Sequence, residues 1–295
     1  MLFDAETVVD VRDALPDVVV VALRYATHAG DSAFLAVLVL LLYWFTDALD
    51  TDRETAAFVV AVSVGCLALT VGLKGVVARP RPPSNVALVA ETGYSFPSAH
   101  ALGATVVYGL LAVVSDTGKR WQRYVVAGAL IVVIAVSRVV IGVHYPGDVI
   151  VGVAVGVVYL AVVLRYFRDA ERAFLLALVV ALVGVALGSR EYPAVAVGAS
   201  AGGFVVWRLL RRRIPLSQSP SPVSVAVVGV SFGVVVAAGV FAYLVLVESA
   251  FVESPVLETA TAFLGTTTAT GVVLSVPHVA SWLDGRSDIH GGGNG

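Results

Sequence analysis

Residues 56–73 read AAFVVAVSVGCLALTVGL, eighteen positions without one charge. A helix of about that length reaches across the hydrocarbon core of a bilayer. Working outward, further apolar stretches recur, and together they give nine candidate spans: 32–48, 55–77, 98–115, 123–142, 147–167, 171–188, 193–208, 223–247 and 256–283. The composition agrees, with 58% hydrophobic residues, only 14% charged ones and a mean hydropathy of +0.92. Soluble domains carry about 25% charged residues. The expected fold is all-α, a polytopic bundle of transmembrane helices. The stretch 256–283 is the most polar, diluted by Thr266, Thr267, Thr268, Pro277 and His278. Residues 16–29 are apolar but short, and Arg24 and His28 interrupt them, so they read as an interfacial or partly buried helix.

The acidic start, Met1 to Glu6, lacks the basic region of a signal peptide, so insertion is expected from the internal spans. The net charge of -2 and the lack of a long basic tract give no sign of a nucleic-acid partner. Cys66 is the only cysteine and sits in the apolar run above, which leaves no disulfide framework and no cysteine-based metal site. Gly152 and Gly156 form a small-xxx-small pair suited to close helix packing. The segment Ser217-Gln218-Ser219-Pro220-Ser221-Pro222 is the best candidate linker.

Charge gives the chain a direction. Clusters at Lys119, Arg120 and Arg123, at Arg165, Arg168 and Arg172, and at Arg208, Arg211, Arg212 and Arg213 fall on one side of an alternating topology. With Arg53 and Arg286 they make twelve of the nineteen basic residues, which marks that side as cytoplasmic. The polar loop 78–97 and the turn 143–147 then face outward.

Three outward clusters hold nearly all the reactive groups. The first is Lys74 followed by Arg79-Pro80-Arg81-Pro82-Pro83. Cations are not expected on the outer side as anchors, and an anionic ligand is the simplest reason for them. The second is Pro97-Ser98-Ala99-His100. Ser98 is a good N-cap for the apolar helix that follows, and free N–H groups at a helix start favour phosphate. The third is Ser137-Arg138, then His144-Tyr145-Pro146-Gly147-Asp148. Pro and Gly suggest a type II turn that returns Asp148 toward His144. A carboxylate on one imidazole nitrogen leaves the other free to attack. Arg138 supplies a planar fork suited to phosphate oxygens.

In order and spacing the three clusters resemble the signature of the type 2 phosphatidic acid phosphatase superfamily, K-x6-R-P, P-S-G-H and S-R-x5-H-x3-D. Lys74, Arg81 and Pro82 match the first part, Pro97, Ser98 and His100 the second, and Ser137, Arg138, His144 and Asp148 the third. Ala99 stands in the glycine place, and Arg79-Pro80 offers a second R-P register that the spacing from Lys74 disfavours. The resemblance covers roughly residues 15–170. It implies a catalytic membrane domain over 1–170, with 171–295 an additional transmembrane region to which no motif attaches.

The resemblance further implies a metal-independent phosphatase without a cofactor, acting on a lipid phosphate or a polyprenyl phosphate or diphosphate in the bilayer. His144 would be the nucleophile, Asp148 its orienting partner and His100 the general acid. Lys74, Arg81, Ser98, Ala99 and Arg138 would hold the phosphate. Three other readings use the same residues: transfer to an alcohol other than water, a vanadate-dependent haloperoxidase, and a transporter that only binds the anion. No residue here points to a protein partner.

Overall fold

The structure, a computed structural model, describes residues 2–46, 51–190, 192–213, 220–233 and 255–291. Among these, the regular elements are helical. They are α1 (Ala5–Asp13), α2 (Asp17–Ala26), a 3-10 turn η1 (Thr27–Gly30), α3 (Ser32–Trp44), α4 (Arg53–Val77), α5 (Ala99–Val114), α6 (Arg120–Val140), α7 (Pro146–Tyr166), α8 (Ala170–Ala186), α9 (Pro193–Arg213), α10 (Pro222–Gly233) and α11 (Pro255–Gly291). The chain forms two compact units, Met1–Ala196 and Val197–Gly295. Sequence reading sets its boundary near residue 170; the compact division falls later because α8 packs along α4 within the first unit.

Among the described residues, five helices are long and apolar enough to cross a membrane: α4, α6, α7, Pro193–Arg211 of α9 and Glu258–Asp284 of α11. The chain is a multi-pass membrane protein. The expected interfacial or partly buried helix at 16–29 takes a different form. Asp17–Gly30 and Ser32–Trp44 meet at a 50° bend and together satisfy the test for one broken span, which raises the number to six. Two expected spans, α5 with 16 residues and α8 with 17, are apolar but short of the usual length. Pro97 and the Ser98 cap fix where α5 begins, so it cannot extend toward the loop before it. Most of the expected span 223–247 lies outside the described residues, as does most of the expected linker.

Between helices in lipid, close packing replaces the hydrophobic drive available in water. The first unit shows the means. Gly72 of α4 and Gly184 of α8 face each other so closely that a Cβ on Gly184 would lie 3.1 Å from the Gly72 Cα. Gly152 and Gly156 do the same for α7 against α5: their added Cβ atoms would stand 2.9 Å from the Ser98 carbonyl oxygen and 2.8 Å from the Thr105 Cβ. The sequence pair of small residues thus seats α7 directly under the start of α5. In the second unit, Gly198 and Gly202 of α9 pack on Thr266 and Thr267 of α11. There His278 is buried edge-on against Trp207, with ring centres 6.5 Å apart, which is a packing role.

Candidate active site

The C-terminal ends of α4 and α6 meet the N-terminal ends of α5 and α7. Each contributes one of the sequence clusters. Lys74 lies in the last turn of α4, buried, and its ammonium donates to the Tyr94 carbonyl. Beyond it the chain turns at Ala78, whose φ of 49° is the left-handed cap that ends the helix. The loop that follows is tied down by Ser95, whose N–H donates to the Arg79 carbonyl at 2.9 Å and whose hydroxyl donates to Pro80 at 3.0 Å.

The two R-P registers separate cleanly. Arg79 stacks over the Phe3 ring at 3.8 Å. Arg81 reaches the site, donating to the carbonyls of Thr92, Gly93 and Val143 at 3.0–3.1 Å. One of its terminal nitrogens stands 3.3 Å from Nε2 of His144.

His144 follows the α6 C-terminus, where its N–H and that of Val143 both approach the Arg138 carbonyl at 3.3 Å. Gly142 makes this turn possible. Its φ of 78° is left-handed, and a Cβ there would sit 2.4 Å from the Val86 carbonyl oxygen. The His144 side chain is 1% exposed and that of Asp148 is fully buried. Nδ1 of His144 faces Oδ2 of Asp148 at 3.5 Å, so Nε2 is the nitrogen turned toward Arg81. The expected type II turn is not formed. Tyr145 to Asp148 begin α7 instead, with Pro146 as the first helical residue and no positive φ at Gly147. The helical turn still returns Asp148 toward His144, while the Tyr145 N–H donates to Oδ2 at 3.0 Å.

Ser98 caps α5 as its sequence suggests: it is buried, and its hydroxyl accepts from the Ala101 N–H. Its own N–H donates to the Asp148 carbonyl at 3.0 Å, which locks the starts of α5 and α7 together. Ala99 is the first residue of α5, and His100 lies in the same turn.

Arg138 is buried in the last turn of α6. It donates to the Thr27 hydroxyl at 2.9 Å and is paired with Glu91. The second Glu91 oxygen lies 3.2 Å from Arg81. One carboxylate thus bridges the two guanidiniums that the sequence assigned to phosphate. All the sequence-assigned residues therefore come from elements that converge here.

Residues 55–172 match the family model described as the PAP2 superfamily. Over these residues the chain is similar to the PAP2 superfamily. Phosphatidylglycerophosphatase B of Bacillus subtilis is 29% identical over 156 residues, 50% of this chain and 74% of that protein. Decaprenylphosphoryl-5-phosphoribose phosphatases of Mycobacterium tuberculosis and Mycolicibacterium smegmatis are 36% identical over 99 residues and 44% over 90. Those stretches are 32% and 29% of this chain, and 52% and 45% of the relatives, so the chain spans about half the length of these mycobacterial proteins. The crystal structure of a transmembrane PAP2-type phosphatidylglycerolphosphate phosphatase from Bacillus subtilis superposes with a TM-score of 0.51 at 24% identity, covering 55% of this chain and 83% of that one, a likeness of fold.

Sequence reading of the site missed three residues. Glu91 is an acid in a loop otherwise read for its cations. Thr27 and Asp31 precede the first motif by more than forty positions. His28, which carried no usable signal in sequence, lies 2.7 Å from Asp31. The spacing of His28 and Asp31, three apart, was the one hint available.

Electrostatics set the charge state of His144. Burial first, then the charges of Arg81, Arg138 and Lys74, hold the His144 imidazole well below its ordinary pKa of 6.5, so it is neutral and its Nε2 lone pair is available. Burial pulls Glu91 up, but the charge and hydrogen bond of Arg138, with Arg81, outweigh it and hold the carboxyl below its ordinary 4.5. The stability consequence has a definite sign. As pH falls, the unfolded chain takes up the His144 proton near 6.5 while the folded chain does not. The protein in detergent is therefore expected to lose up to about 1.4 kcal/mol per pH unit below about 6.5 from this group. The contribution of Glu91 is present above 4.5 and is lost only as pH falls further. Thermal unfolding between about pH 7.5 and about pH 5 checks this, and a His144→Gln variant is expected to flatten the slope.

Proposed function

We propose that the protein hydrolyses the phosphate monoester of a membrane lipid through a phosphohistidine on His144, without a metal ion. The observation that carries this reading is the placement of Nε2 of His144 beside Arg81, next to a carboxylate that Arg81 and Arg138 already clasp. The Glu91 oxygens stand in for the oxygens of a substrate phosphate.

With phosphate in that place, Nε2 attacks phosphorus in line and Asp148 stabilises the charge that develops on the ring. Arg81, Arg138 and Lys74, with N–H groups at the start of α5, hold the equatorial oxygens. His100 protonates the leaving oxygen and later takes a proton from the attacking water. The cations supply the charge that a metal supplies in other phosphoryl-transfer sites.

Lipid is the substrate class the surroundings favour, because the site is built from the ends of apolar helices. The named activities of the relatives suggest two candidates, a phosphatidylglycerophosphate and a polyprenyl-linked sugar phosphate. The cationic clusters at Lys119 to Arg123 and Arg165 to Arg172 lie at the opposite helix ends from His100, Arg138 and Asp148. By the positive-inside rule, that supports an extracytoplasmic site. The machinery comes wholly from the chain before residue 170, which supports 1–170 as the catalytic region and 171–295 as an additional membrane region.

Phosphate release by purified protein in detergent tests the proposal. Phosphatidic acid, phosphatidylglycerophosphate and a polyprenyl phosphate are offered with and without EDTA, and with an alcohol as competing acceptor. Release from at least one lipid, undiminished by EDTA, is expected. Activity that dies on chelation and returns with a divalent cation contradicts the metal-free mechanism. Phosphorylated alcohol as the main product makes the protein a transferase.

A further inference from the structure

His100 has a partner that no motif names. Its Nε2 lies 2.7 Å from Oδ1 of Asp31, and the other oxygen of Asp31 lies 2.7 Å from Nδ1 of His28. Asp31 stands at the N-cap of α3, where an aspartate ordinarily accepts from the helix N–H groups and contributes about 1 kcal/mol. Here its side chain makes no capping bond. Both oxygens are given to histidines instead.

The segment that carries Asp31 is fixed from two sides. The Tyr108 hydroxyl of α5 donates to the Ala29 carbonyl at 2.7 Å, and Arg138 of α6 donates to the Thr27 hydroxyl at 2.9 Å. Gly30 lets the segment lie flat against the site: a Cβ there would stand 2.5 Å from Ile134 and 3.2 Å from Cδ2 of His100. The Cδ2–Nε2 edge of the ring is thus turned toward Gly30 and Asp31. Nδ1 lies on the opposite edge.

We propose that Asp31 is the positioning residue of the general acid: it accepts from Nε2–H of His100, so that Nδ1 is the nitrogen that trades a proton with substrate. The proposal rests on the hydrolase reading above. It makes the site a pair of carboxylate–imidazole dyads, Asp148 with the nucleophile and Asp31 with the acid. His28 steadies the second Asp31 oxygen. The groups that face His100 are Asp31 from the start of α3, Glu91 from the loop and Arg138 from α6. Burial first, then Arg138, opposes an imidazolium on His100, and the two carboxylates favour one; the negative charge of a docked substrate phosphate is what adds the second proton, on Nδ1.

The proton balance closes. As the bond from phosphorus to Nε2 of His144 forms and the bond to the leaving oxygen breaks, that oxygen takes the proton from Nδ1 of His100. The imidazole is left neutral, with Nε2–H still on Asp31. When water attacks the phosphohistidine and the phosphorus–nitrogen bond breaks, Nδ1 takes the proton from water and the imidazolium is restored.

The test compares two esters with full-length wild-type and Asp31→Ala protein in detergent. Dodecyl phosphate releases an alkoxide that needs the proton, whereas p-nitrophenyl phosphate releases a phenolate that needs little help. Asp31→Ala is expected to slow the alkyl ester about 10- to 100-fold but the aryl ester by no more than about threefold, with partial recovery in Asp31→Glu. An equal loss on both esters, or no loss on the alkyl ester, overturns the proposal.

A second readout does not depend on turnover. In histidine-labelled wild-type protein, the Nε2–H proton of His100, assigned by its loss in His100→Gln, is expected far downfield, as for a proton shared with a carboxylate. It is expected to vanish in Asp31→Ala. Its absence from wild type overturns the proposal. If wild type hydrolyses neither ester yet shows this proton, the hydrolase reading fails while the dyad stands.

Discussion

Replacing His144 by alanine is expected to lower phosphate release by about ten-thousandfold or more, with the residual rate owed to the remaining cations. The size follows from what is removed. No other nitrogen stands where Nε2 does, 3.3 Å from Arg81 and beside the anion position that Glu91 marks. Substrate binding should survive, because Lys74, Arg81 and Arg138 are untouched. Binding of inorganic phosphate or vanadate by calorimetry is therefore expected to change far less than turnover. A variant that keeps more than about a tenth of wild-type activity contradicts the nucleophile assignment.

The second large effect belongs to Asp148. Asp148→Asn keeps the shape of the side chain but exchanges an acceptor for a group that can also donate. The buried Nδ1 of His144 then faces an amide, and the proton is free to move to Nε2, where it blocks attack. A loss of about a thousandfold in kcat is expected, with KM little changed, since the phosphate cradle is intact. The backbone link from the Ser98 N–H to the Asp148 carbonyl does not depend on the side chain, so the starts of α5 and α7 should stay joined. A rise in KM at constant kcat would assign Asp148 to binding and remove it from the chemistry.

Much of the site was legible because its chemistry is written in short spacings. A lysine seven positions before an arginine, a Ser-x-His at a helix start and an arginine six positions before a histidine each carry their own geometry. A helix cap and a close-packed glycine pair follow from local backbone needs, and Ser98 and Gly152 with Gly156 fill those roles. The fold class was legible for the same reason, since eighteen uncharged residues between Ala56 and Leu73 leave little alternative to a buried or spanning helix.

Long-range partners left no such trace. Glu91 sits 47 positions before Arg138, and Asp31 sits 69 before His100, with nothing between them to set a register. The Tyr145-Pro146-Gly147-Asp148 stretch misled because proline serves equally well as the second residue of a turn and as the first residue of a helix. The carboxylate cap and the following apolar run decide for the helix. Span counting was limited by the bend at Gly30 and Asp31, which joins two short apolar pieces that look separate in sequence.

The claim beneath this account is that His144 becomes covalently phosphorylated by substrate at a cradle of three cations. Protein mixed with a lipid phosphate, quenched in alkali and digested for mass spectrometry tests it most directly. Phosphate on His144, stable to base and labile to acid, is the expected result. Turnover with no phosphate on any histidine, or with phosphate on His100 while His144 stays bare, would contradict it.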